Sequence, residues 1–276
     1  MDFGQSLANE SPLGKDQQYK HQYDASLLYA LPRALGRKPL SIDTKLPFFG
    51  ADVWTAYELS WLDILGKPCV AVAELLIPCE SPNLVESKSL KLYFNSFYDT
   101  QFQSSSDVRE CIEADLSKVC GAPVQVSLMP PSQWEHIHRS SARGICLDGI
   151  ELACTDYQVT PDLLTCGTGT VSERVFTRLF RSNCLVTGQP DWANIEIAYS
   201  GPQIDHSQLL RYLVSYRSHQ GFHEQCVEHI FVDLMERCKP TTLTVIGTFT
   251  RRGGIDINPY RSTDSHPLVV QRHPRQ

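Results

Sequence analysis

The sequence lacks the features of a membrane or secreted protein. No stretch approaches the roughly 18 to 20 consecutive apolar residues that span a bilayer, and the first residues lack the apolar centre of a signal peptide. The ten cysteines include no CxxC pair, which leaves a structural zinc site without support. Cytosolic reductants keep unpaired thiols reduced. We therefore expect a cytoplasmic protein with free cysteines and no metal.

The chain also has no excess of basic over acidic residues. The formal net charge is −6 and the isoelectric point is about 5.8, whereas proteins that bind nucleic acid through phosphate contacts are commonly basic. The glycine-containing run CGTGT at 166–170 lacks the GxGxxG spacing of a dinucleotide-binding loop. Direct binding to nucleic acid is therefore not expected, and the CGTGT run is not a dinucleotide-binding motif.

What is present is a globular chain of 276 residues, of which 42% are hydrophobic. Residues 1–45 are polar and predict an irregular N-terminal arm. Residues 46–150 and 151–276 then show the same order of elements: strand, strand, helix, helix, strand. The second helix of each half carries a similar triplet, at 111–113 and 226–228. This order predicts two copies of one α+β unit.

The predicted elements follow from alternating or helical spacing of apolar residues. In the first half they are strands at 54–63, 69–79 and 123–129 and helices at 84–97 and 107–119. In the second half they are strands at 179–188, 194–200 and 243–250 and helices that begin after Asp205 and at His223.

One candidate nucleophile lies in RSNCLVTGQPDW, residues 181–192. Cys184 falls in a predicted strand, and Asp191 follows across a proline turn that can bring its carboxyl group back toward the sulfur. A thiol beside an acid can act as a nucleophile with a proton donor. The alternative is that Cys184 is a small core residue and Asp191 a turn former.

Two helix starts carry polar groups suited to a ligand. Glu86, Ser87 and Lys88 lie in the first turn predicted for one helix, where free backbone N–H groups suit an anion. His223 and Glu224 open the last long helix and could contact the edge of a heterocycle. In both places the alternative is an acid that only complements the helix dipole.

A further candidate is TRRGGIDINPYRS, residues 250–262, where Arg251, Arg252 and Arg261 surround Gly253 and its neighbouring glycine. Adjacent glycines allow the backbone to approach a phosphate, and arginine adds a bidentate charge. The segment therefore predicts a pocket for dinucleotide phosphates, with an ordinary solvated loop as the alternative.

Taken together, the four segments at 83–97, 182–192, 222–228 and 250–262 resemble the signature segments of the NADPH-dependent 7-cyano-7-deazaguanine reductases. These are the nitrile reductases of queuosine biosynthesis, and the chain is similar to their long, two-unit form. The resemblance implies a tunnelling fold, in which tandem α+β units build an antiparallel sheet with paired helices on one face. It also implies a homodimer that acts on the free base.

The resemblance assigns a role to each candidate. It implies that Cys184 attacks the nitrile carbon to form a thioimide, that Asp191 supplies a proton to the nitrogen, and that His223 assists proton transfer or positioning. Substrate contacts are implied at Val85, Glu86, Ser87, His223 and Glu224. NADPH contacts are implied at Ser87, Lys88, Arg252 and Gly253.

Two other functions fit the same residues. One is a zinc-dependent cyclohydrolase of the same fold, with Cys184, His223 and Cys226 as ligands. The other is a protein that binds a purine or pterin without catalysis. Metal content distinguishes the first from the reductase, and NADPH oxidation distinguishes the second.

Overall fold

The computed structural model describes residues 20–42, 45–136, 142–185 and 187–276. Contacts divide the chain into two units, each built from segments that are distant in sequence. Within the described residues, unit 1 is drawn from Met1–Lys38, Asp52–His138 and Arg251–Asp256, and unit 2 from Pro39–Ala51, Arg139–Thr250 and Ile257–Gln276.

Unit 1 combines paired strands with two helices of 9 and 16 residues and one shorter helical turn. Its strands are β1 (Ala30–Pro32), most of β2 (Phe49–Leu62), β3 (Pro68–Pro78), β4 (Asn83–Val85) and β5 (Gln125–Met129). Its helices are α1 (Ala34–Arg37), α2 (Ser87–Asn95) and α3 (Ser105–Cys120), with single 3-10 segments at Ala25–Leu27 and Pro131–His136. Strand β3 lies between β2 and β5, and β1 pairs with β4.

Alternation along β3 explains the core of unit 1. Ala71, Ala73, Leu75 and Ile77 are all buried, as expected where every second side chain faces the core.

Helix α3 begins earlier than predicted, because the Ser104 hydroxyl, not the Asp107 carboxylate, accepts the capping hydrogen bond.

The described part of the N-terminal arm is not irregular throughout. Residues Ala30–Pro32 form β1, which pairs with β4 along its whole length, and Ala34–Arg37 form a helical turn. The reason is that the buried Arg33 guanidinium anchors this segment: its Nε donates to Ser81 Oγ at 3.0 Å and its Nη2 to Asp52 Oδ2 at 2.5 Å. Residues 1–19 and 43–44 of the predicted arm lie outside the described residues.

Unit 2 is built on long strands. They are β6 (Ile145–Cys146), β7 (Cys166–Asn183), β8 (Pro190–Ile204), β9 (Thr242–Phe249) and most of β10 (Ile255–Ser262), in the order β10-β9-β8-β7-β6. All neighbours are antiparallel except β6 and β7. The helices are α4 (His206–Ser215) and α5 (His223–Cys238), and 3-10 segments lie at Lys38–Leu40, Pro161–Leu163 and Tyr216–Ser218.

Both predicted helices of unit 2 are confirmed. The Asp205 carboxylate caps α4 by accepting from the Ser207 and Gln208 backbone amides at 2.8 and 3.0 Å. In α5 the apolar stripe is buried as predicted, with Cys226, Val227, Ile230, Phe231 and Leu234 each fully enclosed. Strand β7 begins earlier than predicted, because the segment from Cys166 pairs with the far end of β8. It also ends earlier, at Asn183, so the prediction that Cys184 lies in a strand is wrong: Cys184 opens the turn between β7 and β8.

The protein is therefore a mixed α/β protein with a mainly antiparallel sheet and few helices. No helix in the described parts of the chain is long and apolar enough to cross a membrane.

Candidate active site

Cys184 lies at the tip of the hairpin between β7 and β8. Its backbone N–H donates to Gln189 O at 2.8 Å, and the Gly188 N–H donates to Cys184 O at 3.0 Å, so the hairpin closes directly around the cysteine. Gly188 has a φ of 65°, in the left-handed region that glycine enters without strain. The thiol is half-buried, so it combines a defined position with access for a ligand.

Asp191 is brought to the same hairpin by strand register. It faces Ser182 across the β7–β8 pair and is only 3% exposed. Its Oδ2 lies 3.4 Å from Nε2 of His223, the first residue of α5. A carboxyl group and an imidazole in this arrangement can exchange a proton. Asp191 lies in β8 and not in the turn.

The His223 ring is held by an aromatic neighbour. It stacks on Phe249, with centroids 3.9 Å apart and planes 9° from parallel. Its Nδ1 atom is buried and has no hydrogen-bond partner among the described residues. Because an unsatisfied buried nitrogen is costly, this atom is suited to a ligand that completes its hydrogen bonding.

Glu224 and Cys226 complete the start of α5. Glu224 is 4% exposed, so its carboxylate belongs to the interior rather than to a solvated first turn. Burial raises the pKa of the Cys226 thiol to about 12, with the nearby Asp191 and Glu224 charges acting in the same direction and Ser182 opposing them. Cys226 therefore remains a thiol at neutral pH.

The zinc interpretation is not favoured by this geometry. It needs Cys184, His223 and Cys226 as a common set of ligands. Within the described ranges, no three histidine, cysteine or acidic side chains are grouped closely enough to hold a metal ion. A cysteine whose pKa is raised by burial is also a poor ligand, because metals bind the thiolate.

Glu86 is the N-cap of α2 and not a residue of its first turn as predicted, because the helix begins at Ser87 and residues 83–85 form β4. Its two carboxylate oxygens accept from the backbone N–H groups of Lys88 and Ser89, both at 2.7 Å. The side chain is nearly fully buried, and burial raises its pKa while the two backbone hydrogen bonds oppose that rise. Val85, in β4, is buried beside it, and Ser87 is half-buried.

A carboxylate has about four acceptor positions, and the cap occupies two. Glu86 thus complements the dipole of α2, and it can still accept hydrogen bonds from a ligand.

The turn from Arg252 to Ile255 contains Gly253, whose backbone lies close to the Lys91 side chain. Arg252 and Ile255 exchange backbone hydrogen bonds at 2.9 and 3.3 Å, and Gly253 has a φ of 54°. A Cβ added at Gly253 would lie 2.7 Å from Lys91 Nζ, so the lysine closely approaches the glycine backbone. Together with Lys88, these groups fit a phosphate-bearing cofactor.

Arg261 does not belong to this turn, which corrects the predicted phosphate pocket. Its side chain is fully buried in unit 2, where Nη2 and Nε donate to Glu228 Oε1 at 2.7 and 3.1 Å. The paired guanidinium links β10 to α5 and is not available to a ligand. Arg251 is exposed and stacks over the Tyr57 ring at 3.4 Å from its centroid.

Two residues that contact the predicted site residues were not identified from the sequence. Lys91 lies three residues after Lys88 on α2, a spacing that places both on one helix face and could have been recognised. Phe249 gave no signal, because it is one of several apolar residues in an ordinary strand.

Comparison with known proteins adds the family. Residues 19–128 match the model described as nitrile reductase, 7-cyano-7-deazaguanine-reductase N-term, and residues 190–267 match the model described as QueF-like protein. The chain is 50% identical over 262 residues to the NADPH-dependent 7-cyano-7-deazaguanine reductase of Burkholderia cenocepacia (strain HI2424), covering 94% of this chain and 95% of the relative.

A second relative with the same name, from Acidovorax ebreus (strain TPSY), is 51% identical over 273 residues and covers 96% of each chain. A solved structure, the archaeosine synthase QueF-Like in the apo form, covers 36% of this chain at 13% identity with a TM-score of 0.31, which is too low to carry an argument. These matches place the chain in a class of nitrile-reducing enzymes. It belongs to the NADPH-dependent 7-cyano-7-deazaguanine reductase family, which confirms the resemblance.

Proposed function

We propose that this chain reduces the nitrile of 7-cyano-7-deazaguanine to an aminomethyl group, with NADPH as hydride donor, in the pathway to queuosine. The observation that carries the proposal is the placement of the half-buried Cys184 thiol on the same hairpin as the buried Asp191, whose carboxylate contacts His223. An electrophilic carbon, a nucleophilic thiol and a proton source are what nitrile activation requires.

Covalent capture by Cys184 makes the reduction feasible. Its sulfur adds to the nitrile carbon while Asp191 supplies the proton to nitrogen, which gives a thioimide that accepts hydride more readily than a nitrile. After the first reduction the C–S bond breaks, Cys184 leaves as a thiol or thiolate, and an imine remains for the second reduction. NADPH supplies one hydride to each of the two reductions, and two protons balance the conversion of nitrile to amine.

His223 has a role that suits its surroundings. Nε2 faces Asp191, so the imidazole can return a proton to that carboxylate between the two reductions. Stacking on Phe249 fixes the ring plane, and the unsatisfied Nδ1 is available to the substrate.

Glu86 and Glu224 would hold the guanine-like edge of the base, which offers N–H donors to carboxylates, with Val85 and Ser87 beside Glu86. The cofactor would be held by Ser87, Lys88, Arg252 and Gly253. The close approach of Lys91 Nζ to the Gly253 backbone supports this assignment, because it places a positive charge beside the glycine turn.

The finer architecture and assembly also belong to this proposal. We expect tandem tunnelling-fold units at 46–150 and 151–276 with paired helices on one face of the sheet, and a cytoplasmic homodimer that does not bind nucleic acid directly. Light scattering after gel filtration tests the dimer, and a monomer at micromolar concentration would contradict it.

NADPH absorbance on mixing protein with 7-cyano-7-deazaguanine tests the function. We expect two NADPH oxidised per nitrile, and an intact-mass adduct that is absent in Cys184→Ala. Cys154→Ala, which removes a half-buried cysteine elsewhere in the same unit, is the matched control and should retain both signals. Absence of nitrile-dependent oxidation by the wild-type protein would refute the proposal and leave non-catalytic purine binding as the explanation of the site.

A further inference from the structure

The segment that leads into α5 is attached to the hairpin that carries Cys184. Asn183, the last residue of β7, donates its backbone N–H to His219 O at 2.8 Å and accepts from the Gly221 N–H at 3.2 Å. Successive residues of an antiparallel strand direct their backbone groups to opposite sides. The backbone groups of Cys184 bond within the hairpin, so those of Asn183 point the other way, toward residues 219–221.

The Asn183 side chain adds two hydrogen bonds to this attachment. Its Nδ2 donates to Arg217 O at 3.3 Å, and its Oδ1 accepts from Arg181 Nη2 at 2.9 Å. A side-chain amide carries a donor and an acceptor on one planar group, so it can bond to two partners at fixed positions. Asn183 therefore joins β7 to the segment before α5 through both its backbone and its side chain.

Trp192 makes the same connection from the neighbouring strand. It lies opposite Arg181 in the β7–β8 register, and the Cζ atoms of Arg181 and Arg217 lie 5.6 and 5.7 Å from its ring centroid, within the range of cation–π attraction. Asn183 and Trp192 thus each contact one arginine of β7 and one arginine of the 3-10 segment before α5. Arg181, Asn183, Trp192 and Arg217 are called the hairpin clamp below.

The hairpin clamp lies on the face of the hairpin opposite to the candidate acid. Side chains alternate along a strand, so Arg181 and Asn183 share one face, whereas Ser182 lies on the other and faces Asp191 across the strand pair. The clamp is therefore placed to fix the backbone around the reacting groups, not to contact the acid itself.

We propose that Asn183 is a positioning residue for the reaction, because the hairpin clamp holds the start of α5, and with it His223, beside Asp191. This inference rests on the proposed function, which gives His223 and Asp191 their roles. His223 lies two residues beyond residues 219–221, so a shift of that segment away from β7 also moves the imidazole. Its Nε2 lies 3.4 Å from Asp191 Oδ2, so a small displacement takes the pair out of reach for proton transfer.

Steady-state kinetics of Asn183→Ala tests the proposal. We expect kcat for nitrile-dependent NADPH oxidation to fall about five- to tenfold, because the imidazole is less well placed. KM for the nitrile should change less than about twofold, because Asn183 does not hold the base. A loss of stability alone would leave the kcat of the folded protein unchanged. An unchanged kcat, or a higher KM with kcat retained, would overturn the proposal.

Thr241→Val is the matched control. Thr241 follows the other end of α5, where its Oγ1 donates to Ser200 O of β8 at 2.8 Å, so it attaches that end of the helix to the sheet as Asn183 attaches the start. Valine keeps the shape of the side chain and removes the donor. This variant should keep its kcat. An equal fall of kcat in both variants would show that any loosening of α5 lowers turnover, which would overturn a specific role for Asn183.

Substitution of Trp192 tests whether the clamp acts as one unit. Trp192→Leu removes the aromatic face and should lower kcat about as much as Asn183→Ala, whereas Trp192→Phe keeps a ring and should retain most of the turnover. The double variant of Asn183→Ala with Trp192→Leu should fall by less than the product of the two single effects, because both residues hold the same segment. Effects that multiply fully would show independent roles and contradict the clamp.

Hydrogen exchange of the unliganded protein tests the clamp without turnover. Asn183→Ala should speed amide exchange about fivefold in residues 217–223 and leave the segment around Thr241 unchanged, as expected when one hydrogen bond is lost locally. If the wild-type protein turns over the nitrile but exchange at 217–223 is the same in the variant, only the clamp assignment is wrong. If the wild-type protein shows no turnover but exchange rises locally as expected, the clamp stands and the reductase is refuted.

Discussion

Two buried acids, one in each unit, have carboxyl groups with different kinds of hydrogen-bonding partner. Glu86 is held by two backbone N–H groups at the start of α2, and Asp191 faces an imidazole across 3.4 Å. Both are at most 3% exposed. Backbone amides do not titrate, so Glu86 is prepared as a fixed acceptor. An imidazole can both accept and donate a proton, so Asp191 has a partner with which it can exchange protons.

The comparison predicts that the two acids affect different kinetic parameters. Substitutions around Asp191 should lower kcat, because the proton transfer is made in the transition state. Substitutions around Glu86 should raise KM, because an acceptor that holds the base contributes to binding throughout.

Replacement of Asp191 by Asn should have the largest effect. The amide keeps the size of the side chain but cannot supply a proton, so kcat should fall by about 10² to 10⁴. Steady-state NADPH oxidation measures this. Asp162→Asn, an exposed acid of the same unit, is the control and should keep its kcat. A variant at Asp191 that retains more than a tenth of the turnover would break the comparison.

Replacement of Glu86 by Gln should act mainly on substrate binding. Loss of the charged acceptor should raise KM for the nitrile about 10- to 100-fold with a smaller change in kcat. The weaker N-cap should also cost about 1 kcal/mol of stability. Ser104→Ala, which removes the N-cap of α3 in the same unit, controls for that loss. If both variants lose only stability, Glu86 is a cap and nothing more.

A half-buried histidine of unit 2, His229, makes the stability of the protein depend on pH. Burial, with His219 nearby, lowers the pKa of His229 to about 4. The unfolded chain then binds a proton that the folded chain excludes, so this contribution to stability is present above the ordinary pKa and is lost as the pH falls from about 6.5 toward 4.

At pH 5 the loss amounts to about 2 kcal/mol. Urea unfolding at pH 7 and pH 5 should show a smaller pH difference in His229→Gln than in the wild-type protein. His266→Gln, which removes a highly exposed imidazole, should leave the difference unchanged. An identical pH dependence in all three proteins would contradict the prediction.

The smallest effect is expected at Gln276. Its Nε2 donates to Phe249 O at 3.0 Å and to Asn258 Oδ1 at 2.6 Å, so it steadies the strand end that presents Phe249 to His223. Gln276→Ala should lower kcat about fivefold, with KM for the nitrile unchanged, since about 1 kcal/mol of hydrogen bonding is lost.

The exposed Val269→Ala in the same segment is the control for Gln276→Ala. A rise in KM without a fall in kcat would show that Gln276 affects binding and not the orientation of the imidazole.

Much of the site followed from local pattern. The stripe of α5 and the cap at Asp205 could be predicted because helix periodicity and capping act within a few residues. The placement of Cys184 and Asp191 on one hairpin could be anticipated because one short turn joins the two strands. The roles of Glu86, His223 and Glu224 came from the family resemblance, and they remain predictions.

The sequence by itself determined which groups could do chemistry and where the helices and hairpins form, since short-range spacing encodes both. Only the tertiary structure decided which of those groups are available. Arg261 pairs with Glu228 in the interior and is therefore not available to a phosphate. Phe249 of β9 stacks on the imidazole of His223. Three arginines from distant segments lie around the Trp192 ring. Pairing and burial between residues far apart in the chain depend on the packed fold, and no local pattern records them.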